Sequence, residues 1–435
     1  MENRAKTTTG AVSRRDFIKT SATTAVSLAA MTAGASRIYA AGSEKIRVIL
    51  VGCGNRGNGA LKNCMDAAKH VKIKLELVAT ADWLKDKAEK AGARYGLSSE
   101  RCFDGATGYQ KALACKPDLM VTAASPCFRP VHLEAAINAG VNVFMEKPVA
   151  VDPPGIRRVI AAGEKAKQKG LAIVAGTQRR HQKSYLRNQY LVENGAIGEI
   201  KGGCVWWCGR MPWIRPRKPG QNDADYLIQN WLNFYEMSGD HIVEQHVHNL
   251  DVANWYIGRT PRMANGFGGR ARRKTGNQFD FFGVDLDYGE DLHIHSMCRQ
   301  ITGCYGRIGE LFNGSEGSIQ GGGSVNTSKN ISVPNFFEHE GGPYVQEHVD
   351  LLNSILAGKP LNEARNVAES TMTAIMSRLA CYTGEIVRWS DCMEKQDSKW
   401  YKYTCTPTAD NFEKGPVTAP PDDVVPIPGK ADDRF

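Results

Sequence analysis

Short apolar runs alternate with helical patterns through the first part of the chain. Runs short enough for single buried strands occur at residues 45–51, 74–81, 118–123 and 142–145. A helical pattern at 130–139 lies between the last two of these runs and ends at Gly140. Regular alternation of strands and helices is typical of a doubly wound parallel sheet. We therefore predict an α/β domain of this kind over residues 41–177.

The pattern changes after about residue 177. Segments 262–273 and 278–300 alternate apolar and polar residues, as half-buried antiparallel strands do. A further strand is predicted at 199–208, and helices are predicted at 182–194, 344–357 and 367–383. These elements predict a second α/β domain over 178–405. The Pro- and Asp-rich residues 406–435 predict an extended C-terminal tail.

Length agrees with two domains, and composition argues against a nucleic-acid partner, a structural metal site and a membrane span. The 435 residues exceed what one hydrophobic core usually organises. The net charge of +9 is not gathered into basic runs, so we expect no nucleic-acid partner. The 12 cysteines include no C-x-x-C pair, which favours small buried residues over a structural metal site. We also expect no membrane span in the mature chain.

A glycine-rich turn, Gly52-Cys53-Gly54-Asn55-Arg56-Gly57, directly follows the first predicted strand. Strand, G-x-G-x-x-G turn and helix in this order are typical of a dinucleotide-binding domain. Gly52 permits the tight turn, Gly54 lets the backbone approach a pyrophosphate, and Gly57 lets the helix pack on the strand. We predict that Asn55 and Arg56 also bind the cofactor. Arg56 has the alternative of an exposed surface position.

Other candidate cofactor residues end the following strands. Asp82 lies at the interval expected of an acid that binds ribose hydroxyls. A carboxylate there would repel a 2′-phosphate, which favours NAD over NADP. Ser125 and Pro126 end the third predicted strand, and Glu146 and Lys147 end the fourth. We predict an ammonium of Lys147 at the nicotinamide ring, with a surface Glu–Lys pair as the alternative.

A polar helix is predicted over residues 239–251, with His241, Glu244, His248 and Asp251 on one face. Glu244 and His248 are four residues apart, so the carboxylate could orient the imidazole and raise its basicity. We predict His248 as a base for a hydroxyl proton, with Glu244 as its partner. A metal site and a structural cluster of buried polar groups are the alternatives.

The first 40 residues have the pattern of a twin-arginine export signal. Arg14 and Arg15 precede Phe17, an apolar stretch at 22–34 and a cleavage site after Ala40. The pattern predicts recognition by the Tat translocase and a periplasmic or otherwise exported protein. A basic, disordered terminus is the alternative. The twin-arginine route carries folded proteins, which suits a cofactor acquired before export.

Together these motifs resemble the glucose–fructose oxidoreductase, inositol dehydrogenase and rhizopine catabolism family, called Gfo/Idh/MocA. The resemblance uses the glycine turn, Glu146-Lys147-Pro148, the turn at 195–198 and His248-x-x-Asp251, and it covers nearly the whole mature chain. It implies an NAD(P)-binding Rossmann domain followed by an α/β domain with a large, mostly antiparallel open sheet. That sheet would serve substrate binding and assembly into dimers or tetramers.

The resemblance also implies an activity and roles for individual residues. Lys147 would lie near nicotinamide and substrate, and His248 would exchange a proton with the reacting hydroxyl. Glu244 stands where aspartate is usual in the family, and His246 where glycine is common. The implied function is oxidation or reduction of a sugar, polyol or glycoside hydroxyl with tightly bound NAD. The residues predicted to bind this carbohydrate are Arg179, Trp207, His246 and Asp251.

Two alternatives to a dehydrogenase stay open at this point. One is an NAD-dependent glycosidase that oxidises, eliminates, hydrates and reduces with no net redox change. Tryptophan-rich residues 205–234 would suit such glycan substrates, because indole faces stack on sugar rings. The other is a non-catalytic binder of a sugar or dinucleotide.

Overall fold

A parallel sheet formed by residues 45–175 carries the glycine-rich turn in the computed structural model, which describes residues 45–336 and 341–435. The predicted export signal at 1–40 lies outside the described residues. The strand order β3-β2-β1-β4-β5-β6 is that of a Rossmann sheet, and all neighbouring strands are parallel. The strands are β1 (Lys45–Val51), β2 (Lys74–Asp82), β3 (Cys102–Asp104), β4 (Leu119–Thr122), β5 (Asn142–Met145) and β6 (Ile173–Ala175).

Helices connect these strands and cover both faces of the sheet. Because both faces are covered, Val48, Ile49 and Leu50 of β1 are all fully buried, which explains the unbroken apolar run. The helices are α1 (Asn55–His70), α2 (Lys85–Ala93), α3 (Gly108–Leu113), α4 (Arg129–Asn138) and α5 (Pro153–Lys169). The prediction of a doubly wound parallel sheet is confirmed.

The second half of the chain forms a larger sheet with the order β13-β12-β11-β7-β10-β9-β8-β14. Among the described strand pairs of this second sheet, only β7 and β10 are parallel. The predicted, mostly antiparallel sheet is therefore confirmed. The strands are β7 (Ile200–Gly209), β8 (Met263–Gly269), β9 (Phe281–Asp287), β10 (His293–Gln300), β11 (Arg307–Gly314), β12 (Gly317–Ile319), β13 (Val325–Thr327) and β14 (Val387–Arg388).

One long helix joins the two halves through a common interior. The helix at Ala364–Thr383 packs against both β8 and α5, and most of its residues are buried. From it, Arg378 donates hydrogen bonds to the carbonyls of Gly239 and Val151, each at 3.0 Å. In chain order, the helices after α5 are α6 (Lys183–Glu193), α7 (Asp223–Gln229), α8 (Tyr235–Ser238), α9 (His241–Glu244), α10 (Val247–Ile257), α11 (Pro343–Leu356), α12 (Ala364–Thr383), α13 (Trp389–Met393), α14 (Lys399–Lys402) and α15 (Ala409–Lys414).

The C-terminal residues are not extended throughout, so that expectation is wrong for α15. Thr408 and Asn411 form a capping box at the start of this helix. Phe412 gives the helix an apolar side chain that is only 5% exposed. Local capping and burial of one phenyl group therefore outweigh the Pro- and Asp-rich composition.

All 12 cysteines are free thiols, and most of them are buried, as the sequence predicted. Within 45–336 and 341–435, the structure contains no group of three or more His, Cys, Asp or Glu side chains arranged to hold a metal ion. A helix with the length and hydropathy needed to cross a bilayer is also absent from these residues.

A buried histidine, His181, links the turn at Gln178–His181 to two other segments. Its Nδ1 lies 2.6 Å from Asp350 of α11, and its Nε2 lies 3.1 Å from Glu363 before α12. Burial lowers the pKa of His181, but Glu363 and Asp350 outweigh burial and raise it to about 10. The imidazolium therefore stabilises the fold at neutral pH.

We expect this contribution to be complete below pH 6.5 and to disappear as the pH rises to about 10. The free energy of unfolding should lose about 1.4 kcal/mol per pH unit in that interval relative to His181→Gln. Urea unfolding of both proteins from pH 6 to 10 measures the difference. Parallel stability curves for the two proteins would contradict the assignment.

Candidate active site

The glycine-rich turn leaves open space where a dinucleotide pyrophosphate is expected. A Cβ on Gly52, whose φ is +85°, would lie 2.4 Å from the backbone nitrogen of Ala124. A Cβ on Gly57 would lie 1.8 Å from the carbonyl oxygen of Gly52. By contrast, a Cβ on Gly54 would meet nothing within 4 Å. Close packing therefore requires glycine at positions 52 and 57. Gly54 instead faces free space beside the start of α1 at Asn55.

Asp82, at the end of β2, fixes this turn. Its Oδ2 accepts a hydrogen bond from the backbone N–H of Cys53 at 2.7 Å, and its Oδ1 accepts one from Leu84 at 3.0 Å. A carboxylate oxygen has more than one lone pair, so acceptor capacity is left for ribose hydroxyls. Asp82 also lines the adjoining cleft, as the sequence prediction requires.

The cleft beside the turn has aromatic walls. It encloses about 670 Å³, part of it open to solvent, and Ser125 lines it together with Asp82. Sequence reasoning missed most of its walls. Trp231 belongs to the tryptophan-rich stretch predicted to meet sugars, yet it lines this cleft. The side chains that were missed are Trp83, Tyr109, Phe128, His132, Ile228 and Trp231.

These features fit a dinucleotide. The open face at Gly54, the helix start at Asn55, the spare acceptors of Asp82 and the apolar walls match phosphate, ribose and base respectively. Pro126 begins the turn Pro126–Phe128 at the end of β4, next to Ser125. Cofactor contacts of individual side chains stay predictions.

Arg56 and Glu146 form an ion pair with each other. The Arg56 Nε lies 2.9 Å from Glu146 Oε1, and the guanidinium also lies 5.1 Å from the centre of the Tyr344 ring. Glu146 is buried, so the arginine compensates its charge. This pair joins the glycine turn to the end of β5, and the predicted contact of Arg56 with a phosphate stays a prediction.

Lys147, directly after Glu146, reaches into the second half of the chain. Its Nζ donates a hydrogen bond to the main-chain carbonyl of Glu244 and lies 3.2 Å from the Oε1 of the same residue. Their side chains are only 13% and 15% exposed. A lysine at the carboxyl end of the parallel sheet is thereby held against the predicted proton-handling segment.

The prediction of one continuous helix over 239–251 is wrong. The segment forms α9 and α10, and Gln245 and His246 lie between them. In an uninterrupted helix the N–H of His248 would bond the carbonyl of Glu244. Here that N–H donates to Gln245 at 3.3 Å, and the Lys147 ammonium takes the Glu244 carbonyl. The tertiary contact replaces a helical hydrogen bond.

His248, in α10, lies against an aromatic side chain. Its ring stacks on Trp207 of β7 with centres 5.7 Å apart and planes at 22°. Burial, reinforced by the charges of Lys147 and Arg179, lowers the pKa of His248 well below 6.5. The imidazole is therefore neutral at physiological pH and can accept a proton. The carboxylate of Glu244 contacts Lys147 instead of His248, so the predicted Glu244–His248 contact is wrong.

The residues predicted to bind substrate fall into two groups. Arg179 lies 6.0 Å from the centre of the Trp207 ring, close to His248, and pairs with Glu310 of β11. His246 and Asp251 instead meet buried partners. The Nε2 of His246 lies 2.8 Å from Ser296 Oγ, and burial lowers the pKa of this histidine to about 3.

Asp251 is held by a neighbour that the sequence did not single out. Arg180 donates to both of its carboxylate oxygens at 2.9 Å, and Ser370 donates to Oδ1 at 2.7 Å. The paired carboxylate is 1% exposed. Of the predicted substrate residues, the structure thus brings Arg179 and Trp207 towards His248 and engages His246 and Asp251 elsewhere.

Known proteins are similar to the first domain in sequence and to most of the chain in fold. Residues 46–174 match the oxidoreductase family model described as the NAD-binding Rossmann fold of Gfo/Idh/MocA. Inositol 2-dehydrogenase of Klebsiella pneumoniae strain 342 is 27% identical over 214 residues, which is 49% of this chain and 54% of that protein. The chain therefore spans about half the length of the curated relatives it matches.

Solved structures match over most of the chain. Scyllo-inositol dehydrogenase from Lactobacillus casei, solved with NAD(H) and scyllo-inositol, has a TM-score of 0.60 and 18% identity, and covers 79% of this chain and 99% of its own. Myo-inositol 2-dehydrogenase from Lactobacillus plantarum has a TM-score of 0.59, 18% identity and the same coverage. At this identity the likeness concerns the fold alone. The glycine turn and Asp82 both lie inside the matched segment, so residues 46–174 are similar to the NAD-binding Rossmann domain of the Gfo/Idh/MocA oxidoreductases.

Proposed function

We propose that this protein is an NAD-dependent dehydrogenase that oxidises a hydroxyl of an uncharged polyol or sugar and keeps its NAD tightly bound. The observation that carries the proposal is the meeting of Lys147, from the nucleotide-binding domain, with the segment that bears His248. An ammonium and a neutral imidazole in neighbouring segments are the groups that alcohol oxidation requires.

Each side chain then has a definite task. Lys147 donates a hydrogen bond to the reacting oxygen and stabilises negative charge that develops there. The neutral ring of His248 accepts the hydroxyl proton, and Trp207 fixes the plane of that ring. Bound NAD supplies the acceptor for the hydrogen and the two electrons that leave the carbon. The products are a ketone, reduced cofactor and one proton.

Charge pairing supports an uncharged substrate. Around the predicted site Lys147 is paired with Glu244, Arg179 with Glu310, and Arg180 with Asp251. Cations that are already paired attract an anionic substrate weakly. Related proteins support the same class, since inositol 2-dehydrogenases are among the curated relatives. They favour net oxidation over the glycosidase alternative. Assembly into a homo-oligomer stays a prediction.

Export through the twin-arginine pathway is proposed from the sequence at Arg14 and Arg15. Replacing both by lysine should leave the protein in the cytoplasmic fraction, because the pathway reads the arginine pair. Cell fractionation and immunoblotting measure the distribution. Arg4→Lys, outside the motif, is the control and should not change it. Equal export of the double variant would refute the proposal.

The proposed activity is tested on the purified full chain. The protein is expected to carry NAD that mass spectrometry identifies, and to reduce it with an inositol or neutral sugar. Lys147→Met and His248→Asn should each lower the rate at which substrate reduces the bound NAD in a single turnover by about 100-fold or more, since each removes charge or proton transfer at the reacting oxygen. Lys90→Met, on the exposed face of α2, is the matched control and should leave this rate unchanged.

Two results would contradict this assignment. Full turnover in both the Lys147 and His248 variants would show that neither side chain takes part in the reaction. Release of phenol from aryl glycosides without net reduction of NAD would favour the glycosidase.

The choice of NAD over NADP is attributed to Asp82. Its carboxylate would face a 2′-phosphate at close range, where like charges about 4 Å apart repel by roughly 1–4 kcal/mol. In protein freed of nucleotide, Asp82→Asn should therefore raise the ratio of the affinity for NADP to that for NAD by about tenfold or more. Asp86→Asn, on the exposed surface of α2, is the control. An unchanged ratio would show that another group selects the cofactor.

A further inference from the structure

Three aromatic walls of the nucleotide cleft contact the short C-terminal helix α15. The ring of Phe412 meets the edge of Trp83 at 5.6 Å and Phe128 at 5.0 Å between ring centres. The hydroxyl of Tyr109 donates a hydrogen bond to Glu413 Oε1 at 3.0 Å. Trp83, Tyr109 and Phe128 line the cleft, and Phe412 packs behind them. Two adjacent residues of α15 thus support three walls.

The chain after α15 contacts α7, a helix that also contributes to the lining of the cleft. The backbone N–H of Ala419 donates to Asp223 at 2.7 Å, and the hydroxyl of Tyr226 donates to Asp422 at 2.8 Å. Both partners belong to α7, which also carries Ile228, a lining residue of the cleft. The C-terminal chain is therefore bound to the side of the cleft contributed by the second half of the protein.

Trp83 connects the two sides directly. Its indole N–H donates to Asp225 Oδ1 of α7 at 2.6 Å, while its ring contacts Phe412. Because Trp83 follows Asp82, any outward movement of α7 or α15 would loosen the wall next to the predicted ribose site. Escape of a bound dinucleotide requires such a movement when the walls close around it.

We propose that residues 409–422, here called the C-terminal clasp, hold the walls of the nucleotide cleft together and slow the release of NAD. This inference rests on the proposed function and deepens it, since it names the residues that retain the cofactor. Phe412 and Glu413 act as positioning residues, because they touch the walls and not the space between them. The clasp gives a physical reason for a cofactor that stays bound through export.

The release rate of NAD from the full-length protein tests the clasp. Protein loaded with NAD is separated rapidly from free nucleotide, and the NAD still bound is measured by chromatography at successive times. Phe412→Ala should release NAD about tenfold faster or more than the unchanged protein, because the support of two walls is lost. Phe412→Leu keeps most of the apolar volume and should restore slow release. Tyr109→Phe, which removes the bond to Glu413, should accelerate release more modestly.

Phe435→Ala is the matched control. This phenylalanine also belongs to the C-terminal residues, but it packs on Tyr403 with rings 5.5 Å apart, away from the cleft. Both alanine variants should lower the melting temperature, whereas only Phe412→Ala should change the release rate. A purely structural role for Phe412 would make the two variants release NAD equally fast.

The outcomes separate the clasp from the proposed function. If the unchanged protein binds NAD and Phe412→Ala releases it at the same rate, the clasp is refuted and the dehydrogenase proposal stands. If the unchanged protein carries no NAD when purified and binds none in a calorimetric titration, both are refuted. If Phe412→Ala fails to fold, Tyr109→Phe decides, and unchanged release in that variant refutes the clasp.

Discussion

The contact between Lys147 and Glu244 is the interaction on which the site depends. A largely buried ammonium needs polar partners, and Glu244 supplies both a main-chain carbonyl and a carboxylate. Taking that carbonyl from the helix costs one helical hydrogen bond, so the chain turns at Gln245 and begins a new helix. His248 in that new helix then lies against Trp207. One side chain from the first domain therefore occupies a carbonyl at the point where the helix of the second domain is interrupted.

Charge around this contact is balanced pair by pair. Arg56 meets Glu146, Arg179 meets Glu310, and Arg180 meets Asp251, so that buried carboxylates lie beside guanidinium groups. Breaking a single partner of such a pair would leave a buried charge without compensation. Burial, reinforced by the nearby charges of Lys147 and Arg179, lowers the pKa of His248 and keeps its imidazole neutral. The same surroundings that hold these compensated buried charges thus also contain a neutral proton acceptor.

The nucleotide side follows a different physical rule, because close packing of the backbone governs it. Gly52 and Gly57 leave no room for a Cβ, and Asp82 fastens the turn by accepting two backbone hydrogen bonds. The walls beyond this turn are aromatic and come from both halves of the chain. Their mutual support by α7 and α15 makes the cleft a product of the whole molecule.

The sequence by itself determined the features that depend on local order. The strand–turn–helix at 45–70, the acid at Asp82 and Lys147 at the end of β5 follow from spacing along the chain, because buried parallel strands and glycine turns have strong local signals. Tertiary structure alone decided the break at Gln245, the partner of Glu244 and the role of Trp231. Helical periodicity predicted one helix over 239–251, but a lysine almost 100 residues earlier in the chain competes for its hydrogen bond. Similarly, Phe412 lies in a Pro- and Asp-rich tail, and it is buried because its ring packs against Trp83 and Phe128 of the cleft walls. Contacts between residues distant in the sequence leave no periodic signal, and for that reason the site had to be completed by the fold.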